Sequence, residues 1–475
     1  NTTLVAVEAG VPIVVAAGGE ANAPVARIDL ALVCVEPSRL PEALEAIRAV
    51  HPRGLILLPQ ETPSANPLED MAYCRAWARL CGCMVLGPRS FGVQRPHLGL
   101  NLSHQAKTAL VGKAALVAQS RSITAAVLDW AEDVSLGFST VVSLGDESVV
   151  DVAQVLEYLA MDPRTDSIAL YMEDIPAARA FTSALRAAAA IKPVIVLKAG
   201  HDSSELGPMH DAVLDALLRR AGAVRISYFV QLFSALKVLG YARRPRGRRI
   251  ALLSNGNGAP QLALDVMGPS TAVFRADLSL ASLKALKGVL EEGADIQNPV
   301  ITHAPLTAGK IKQAIEVLAG DSGVDGVLVL LAPDPLTDMP AVARQLAAAA
   351  PGARKPVITC LMGDASMRPL RHMLDDVGTP AFRTPETAAH AFGILASYHY
   401  NQTLSQQTLP PEALGKPPRL DEARAILRSA RGEHRLDLTV AECQRLFDCF
   451  HIPIQCVPRV KPDSALPDDD AVPMA

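Results

Sequence analysis

The chain has 475 residues, 49% of them hydrophobic and 20% charged, with a formal net charge of -4 at pH 7. At roughly 150 residues per domain this leaves room for about three domains with sizeable cores, and the charge balance gives no electrostatic footprint for nucleic acid or an anionic membrane. No apolar run reaches the ~18 residues that span a bilayer, no basic-then-apolar leader opens the chain, and the eight cysteines lack the spacing of a secreted disulfide framework. The expected compartment is the cytoplasm.

Aromatic residues make up only 4% of the chain, while Ala, Val and Leu dominate, which suits parallel sheets covered by helices. Apolar runs at Leu4 to Val7, Ile13 to Ala16, Leu30 to Val35, Gly54 to Leu58 and Met84 to Leu86 read as strands. Helical patterns at Leu40 to Val50 and Leu68 to Cys81 separate the later ones, which predicts a parallel sheet with right-handed crossovers. The turn Gly87-Pro-Arg-Ser-Phe-Gly92 then leads the chain across the carboxyl edge, where ligands of open α/β sheets bind. Cys74, Cys81 and Cys83 lack a second ligand pair at zinc spacing and read as buried free thiols. No metal site is expected.

The stretch from Gly112 to Trp130 changes from a buried strand, Ala114 to Ala118, through a polar turn, Gln119 to Ser122, to a helix starting at Ile123. Such a turn presents unpaired backbone N–H groups and the positive end of a helix dipole, which favour a phosphate or carboxylate. Gln119, Ser120, Arg121 and Ser122 are the candidate anion ligands. Further strands at Ser139 to Ser143, Ser167 to Met172 and Val194 to Lys198, with helices at Val150 to Met161, Ala177 to Ala190 and Asp211 to Ala221, complete a flavodoxin-like unit. The basic run Arg243 to Arg249 reads as a solvated linker. A second flavodoxin-like unit begins with the strand Ile250 to Leu253 and the turn Ser254 to Ala259, and continues with strands Val327 to Leu331 and Val357 to Leu361. A polar, Pro-containing linker follows, then a helix over Thr439 to Phe450 and a strand-like Ile452 to Val457.

Read together, Gly87-Pro-Arg-Ser-Phe-Gly92, Gly99-Leu-Asn101, Gln119-Ser120, Leu128-Asp-Trp-Ala131, Ser143-Leu-Gly-Asp146, Leu156-Glu-Tyr-Leu-Ala160, Leu170-Tyr-Met-Glu173, Lys192 to Lys198, Arg219-Arg-Ala-Gly222, Asn298-Pro-Val300 and Phe450-His-Ile-Pro453 resemble, in order, the NDP-forming acyl-CoA synthetases, relatives of succinyl-CoA synthetase, and especially their bacterial subgroup fused to a GNAT-type protein lysine acetyltransferase. The resemblance implies an α/β architecture: a CoA-binding Rossmann-like domain at 1–108, lacking its first strand and Gly-rich turn; two succinyl-CoA ligase-like flavodoxin domains at 109–245 and 246–400; a linker at 401–437; and the start of an ATP-grasp domain at 438–475. Acetyl-CoA or another acyl-CoA is the implied ligand, with ATP and Mg in the full-length protein, and a homo-oligomer the implied assembly.

The same resemblance assigns Glu173 the role of the carboxylate that orients a phosphorylated histidine, and Gly87, Pro88, Arg89 and Ser90 the edge facing CoA. A nucleophilic imidazole must be neutral, held through its other ring N–H, and served by anion-stabilising donors. The family's Ser-His-Thr-Gly-Ala loop is absent between Gly200 and Asp211, where only His201 and His210 occur; both read as surface or capping histidines, and no phosphohistidine is identified. Arg121 stands where the family has a small residue, Arg89 where it has Asn, and Ile301 where it has Asp. Arg121 either pairs with an anion or fills the pocket. The leading expectation is a degenerate ligase-like region that senses acyl-CoA and regulates a GNAT domain acting on protein substrates. The alternatives are an active ADP-forming acetate- or acyl-CoA ligase using His201 or His210, and a structural oligomerisation scaffold.

Overall fold

The computed structural model describes residues 3–8, 11–16, 28–58, 64–134, 136–200, 207–240, 243–268, 272–407, 417–433, 435 and 437–454. They divide into two compact units, Asn1–Gln406 and Gln407–Ala475. The first unit is α/β throughout, with three sheets whose strands run mostly parallel.

The first sheet holds β1 (Thr3–Glu8), β2 (Val11–Ala16), β3 (Leu30–Cys34), β4 (Gly54–Leu58) and β5 (Met84–Leu86) in the order β2-β1-β3-β4-β5, with α1 (Leu40–Arg48) and α2 (Pro67–Cys81) as crossovers. Strand β2 runs antiparallel to β1, an exception to the expected all-parallel arrangement. Its physical reason is length: two residues separate Glu8 from Val11, and a parallel return needs a dozen or more.

The second sheet is formed by β6 (Gly92–Arg95), β7 (Leu100–Ser103), β8 (Val111–Ala118), β9 (Phe138–Ser143), β10 (Ser167–Met172), β11 (Val194–Lys198) and β12 (Val224–Ile226), ordered β12-β11-β10-β8-β9-β6-β7. Its helices are α3 (Arg121–Asp133), α4 (Val152–Met161), α5 (Ala178–Ile191), α6 (Gly207–Ala221) and α7 (Phe229–Leu239). Strands β9 and β10 are buried at every position, which is why they read as continuous apolar runs rather than alternating ones. Helix α4 starts at a capping box in which Asp151 accepts from Gln154 N and Gln154 returns the bond to the Asp151 backbone.

The third sheet contains β13 (Arg249–Ser254), β14 (Phe274–Arg275), β15 (Val300–Ile301), β16 (Gly326–Leu331), β17 (Val357–Leu361) and β18 (Ala381–Phe382), with the path β14-β13-β16-β17-β18 and β15 also beside β13. Around it lie α8 (Gly258–Asp265), α9 (Leu280–Val289), α10 (Ala308–Gly320), α11 (Met339–Ala349), α12 (Arg368–Asp376) and α13 (Pro385–Gln406). The 22-residue α13 carries Phe392 and Leu395 into a core that also takes Leu116 and Ile195 from the second sheet and Leu252 and Leu328 from the third. One hydrophobic cluster therefore fastens the two flavodoxin-like layers together. A second does the same for the first and second sheets, joining Ile56 and Leu86 to Val142 and Leu170.

The second unit holds α14 (Leu420–Gly432) and α15 (Val440–Cys449) around a small core of Ala423, Ile426 and Cys449. Much of the segment read as a linker is thus helical: 401–406 end α13, and α14 fills 420–432. Its apolar residues recur at helical spacing, which the surrounding Pro and charged residues obscure. Glu442 closes a capping box with Thr439 and binds Arg435, whose guanidinium leads the interactions that hold the carboxyl at about 2. Residues 452–454 are not strand, and 455–457 lie outside the described residues.

Two loops at the junction of the first and second sheets grip each other. The turn after β5 and the turn after β9 exchange bonds from Asp146 N to Pro88 O (2.9 Å) and from Ser148 N to Gly87 O (3.2 Å). The buried Ser90 hydroxyl donates to Ser143 O and accepts from Gly92 N at 2.9 Å. Gly145 sits at φ +65°, and a Cβ there would lie 2.1 Å from Pro88 O. Replacing Gly145 by Ala is expected to destabilise the chain by about 2–4 kcal/mol, the range for a strained backbone combined with a backbone clash. Gly309→Ala, where a Cβ meets open space on α10, serves as the control. Denaturant midpoints of the two variants check this, and equal midpoints would count against the clasp.

Candidate active site

The carboxyl ends of β3 and β4 and those of β8, β9 and β10 face a common cleft of about 670 Å³. Strands running in the same direction expose their C-terminal turns on one edge, which is how open α/β sheets assemble ligand sites. The first sheet and α2 supply an apolar wall that includes Val33, Val35, Leu57, Leu58, Leu68 and Met71, while the second sheet supplies Gln119, Arg121, Asp146, Glu147, Glu173 and Asp174.

Gln119 follows β8 and ties three turns together. Its Nε2 donates to the Glu147 carboxylate and to Asp174 O (2.9 Å), and its Oε1 accepts from the backbone N–H groups of Glu173 and, at 3.0 Å, Asp174. Both donors and both acceptor lone pairs of the amide are used, so the turn after β8 is registered against those after β9 and β10. Glu147 is buried and also accepts from Val152 N at 3.1 Å. Burial raises its carboxyl above the ordinary glutamate value, against the bonds from Gln119 and Val152.

Glu173 is exposed at the end of β10, where Oε1 accepts from the Tyr171 hydroxyl at 3.2 Å. The phenol is pushed up, first by burial and then by the neighbouring carboxylate. Helix α3 begins at Arg121, two residues earlier than predicted, with Ser120 as its N-cap. The Ser120 side chain makes no capping hydrogen bond: its hydroxyl lies 3.1 Å from that of Ser122, and its backbone oxygen accepts from the Thr124 hydroxyl at 2.8 Å. Of the four predicted anion ligands, Gln119 and Arg121 line the cleft, whereas Ser120 and Ser122 are outside its lining. Arg121 has no hydrogen-bond or ion-pair partner among the described residues.

The predicted CoA-facing edge divides in the same way. Pro88 and Arg89 line the cleft, while Gly87 and the fully buried Ser90 hold the loop clasp. Arg89, at φ +60°, grips the Asp146 carboxylate with Nε at 2.8 Å from both oxygens and a second nitrogen close to Oδ1. This bidentate pairing raises its pKa further. Asp146 belongs to a quoted motif, but nothing in a linear reading pairs it with a residue 57 positions away. Glu147, Asp174, Asp70 and Arg75 also line the cleft and escaped notice; the Arg75 guanidinium donates to Ser148 O at 2.8 Å.

His201 lies outside the described residues. His210 is exposed in the first turns of α6, which begins at Gly207 rather than Asp211, and it is not in the cleft lining. Ile301, by contrast, is buried in β15. Cys74 and Cys83 are buried thiols that burial pushes up to about 12, while Cys81 is partly exposed. Among the described residues no group of three or more His, Cys, Asp or Glu is placed to hold a metal ion, and no helix is long and apolar enough to cross a membrane.

Residues 111–239, which contain most of the second sheet, match the family described as succinyl-CoA ligase like flavodoxin domain. The chain is 28% identical over 384 residues to acetate–CoA ligase [ADP-forming] I of Archaeoglobus fulgidus, covering 78% of this chain and 54% of that enzyme. It is 25% identical over 388 residues to the alpha subunit of acetate–CoA ligase [ADP-forming] I of Pyrococcus furiosus, covering 78% and 82% respectively. The chain is similar to ADP-forming acetate–CoA ligases along 78% of its length. It spans about half the length of the Archaeoglobus relative. The fold matches that of acetyl-coenzyme A synthetase 1 from Ca. Korarchaeum cryptofilum with a TM-score of 0.73 at 23% identity, over 81% of this chain and 85% of that one.

These relatives overturn the expectation of a degenerate region that regulates a GNAT acetyltransferase, since they are ligases by name over the same stretch. That expectation gave too much weight to one missing loop motif; the order and packing of the sheets carry more information than a short segment that tolerates insertion and deletion.

Glu147 provides a test of the cleft's electrostatics. A carboxyl whose folded pKa is raised contributes stability that is fully present below the ordinary value near 4.5 and is lost as pH rises through the raised value. Glu147→Gln is neutral throughout, so the stability of the native protein relative to this variant is expected to fall over the pH range running upward from the ordinary glutamate value. Unfolding curves collected across that range check it; parallel pH profiles would remove the assignment.

Proposed function

We propose that this chain is the CoA-ligase portion of an ADP-forming acyl-CoA ligase, working with an ATP-grasp region in cis or in trans. The observation that supports this most is the likeness to ADP-forming acetate–CoA ligases along 78% of the chain, joined to a cleft at the carboxyl edge that offers both anion-binding and hydrogen-bonding groups. In such a reaction a carboxylic acid is activated as its acyl phosphate at the expense of ATP. The CoA sulfur then attacks the acyl carbon, the acyl–oxygen bond breaks, and phosphate leaves. The apolar wall of Val33, Leu57 and Met71 suits the pantetheine arm or the acyl chain. Arg121 and the N-terminus of α3 suit the phosphoryl group, whose charge they stabilise as it develops on the leaving oxygen. Glu173 suits the ring N–H of a phosphorylated histidine, with His201, between β11 and α6 in sequence, or His210, in α6, as the carrier. Acyl-CoA, ATP and Mg are the corresponding ligands, and a homo-oligomer in the cytoplasm is the corresponding setting.

The complete enzyme, with its ATP-grasp region or subunit, tests this reading when supplied with acetate and other carboxylic acids, CoA and Mg-ATP. Acyl-CoA and ADP are expected in equal amounts, with an acid-labile phosphoenzyme. Of His201→Ala and His210→Ala, one is expected to abolish both the label and turnover. Absence of acyl-CoA with every acid, together with absence of label, would sink the proposal.

Arg121→Ala gives a narrower prediction. In the reverse direction, from acyl-CoA, ADP and phosphate, the variant is expected to raise the KM for phosphate about tenfold, the effect of losing one charge-assisted contact. An unchanged KM would place Arg121 outside the phosphate site.

A further inference from the structure

A second concave surface, with a lining separate from that of the cleft described above, lies on the third sheet. Residues just before β13, β16 and β17 enclose about 480 Å³ at the amino edge of the third sheet. Its cations come from separate segments: Arg244 and Arg246 from the connection between α7 and β13, and Arg354 and Lys355 from the turn between α11 and β17. The basic run that reads in sequence as a solvated linker is therefore folded against a concavity.

A cation at this edge has an ordinary explanation, because helix C-termini end here and attract positive charge. Lys355 fits it, since its Nζ donates to Asp321 O beyond the end of α10. Arg249 also has a local partner, the Asp325 carboxylate, which takes its backbone N and its Nε at 3.0 Å each. Gly247 lets the strand entry pass close to that carboxylate, where a Cβ would fall 2.5 Å from Oδ2. Arg248 stacks 4.0 Å over the Tyr400 ring and Arg244 4.9 Å over Tyr398. Two guanidinium groups remain. Arg246 and Arg354 are exposed, line the same concavity from opposite segments, and have no hydrogen-bond or ion-pair partner among the described residues.

Asp325, the only acid among the described residues of the lining, is already engaged by Arg249 through three hydrogen bonds. Helix termini and internal ion pairs thus leave a surplus of positive charge, in a chain whose formal net charge is -4. Like charges held together without counter-charge repel one another, and a bound polyanion relieves that repulsion. The planar donor forks of arginine match phosphate oxygens in pairs. The volume lies within the range of roughly 300–1,000 Å³ typical of small-molecule sites.

We propose that this amino-edge concavity binds a small anion carrying two or more linked phosphates, with Arg246 and Arg354 as its principal ligands and Arg244 and Lys355 as supporting charges. The site is separate from the carboxyl-edge cleft, and its occupancy is independent of the ligase reaction assigned there.

Isothermal titration of the intact protein with inorganic pyrophosphate at low ionic strength tests the proposal. One saturable site is expected, weakened steeply by added salt, with orthophosphate binding at least tenfold more weakly. The double variant Arg246→Glu, Arg354→Glu is expected to lose at least tenfold in pyrophosphate affinity with a melting temperature no lower than the native protein's, because both side chains are exposed and unpartnered and reversing their charge relieves the repulsion. Arg121→Ala is expected to bind as the native protein does. The proposal is overturned by an absence of saturable pyrophosphate binding, by equal binding of orthophosphate, or by affinity that survives the double variant. Loss of binding in Arg121→Ala would overturn it too, by moving the anion to the other cleft. ADP in place of pyrophosphate separates the sources of the chemistry: equal affinity of the two marks recognition of the phosphates alone, and tighter ADP binding that is still lost in the double variant marks a nucleotide ligand at the same site.

Discussion

The amide of Gln119 is the interaction on which the carboxyl-edge cleft depends. It acts as donor to Glu147 and to Asp174 O, and as acceptor from two consecutive backbone N–H groups. Those partners lie in two turns, Glu147 after β9 and Glu173 and Asp174 after β10, so a single side chain sets the distances among the ends of β8, β9 and β10. The loop clasp built on Gly145 extends that registration to the first sheet, because Asp146 N and Ser148 N reach Pro88 O and Gly87 O. Glu147 is thus held between the two devices, bonded to Gln119 on one side and following the clasp residues on the other. Side chains positioned by packed strand ends and saturated amides lose little freedom on binding, which is where the rigidity of a preorganised site originates.

Much of the fold was legible because its strands are fully buried. Runs such as Phe138–Ser143 and Ser167–Met172 have no polar face to interrupt them, and the intervening helices announce themselves by spacing, although the one read from Val150 begins at Val152 with Asp151 as its cap. The short strands β12, β14, β15 and β18, of two or three residues each, carry too little pattern to be read. Helix α13 escaped for a different reason: it is buried on most sides between two sheets, so its sequence shows no clear polar stripe. The antiparallel β2 followed from connection length alone, a constraint that strand-by-strand reading overlooks.

The site was legible only where one residue type dictates one chemistry. Arg121 and Gln119 stood out because they sit at a strand-to-helix turn, and both line the cleft. Ser120 and Ser122 stood out by the same logic and pair with each other instead. Local sequence says which donors a turn contains, but their direction is set by the tertiary contacts of the turn. The Arg89 pairing with Asp146 makes the same point at longer range. A substitution that appeared to mark decay forms a bidentate ion pair at the rim of an intact cleft, so departure from a family pattern is not in itself loss of a site.

Electrostatics connect these local arrangements to what the cleft can accept. Arg89 and Asp146 cancel each other, and the Asp174 carboxylate accepts from Ile175 N at 2.7 Å. Glu173, Asp174 and Glu147 would together repel an incoming phosphate if all were ionised. Burial acts against ionisation of Glu147, raising its carboxyl above the ordinary glutamate value. Arg121, left without an internal partner, then supplies the positive charge at the start of α3, where the helix dipole adds to it. An anion entering here meets a field that depends on how deeply one carboxyl is buried, and that burial in turn depends on the clasp between the two sheets. The packing that fixes the fold therefore also sets the charge the site presents.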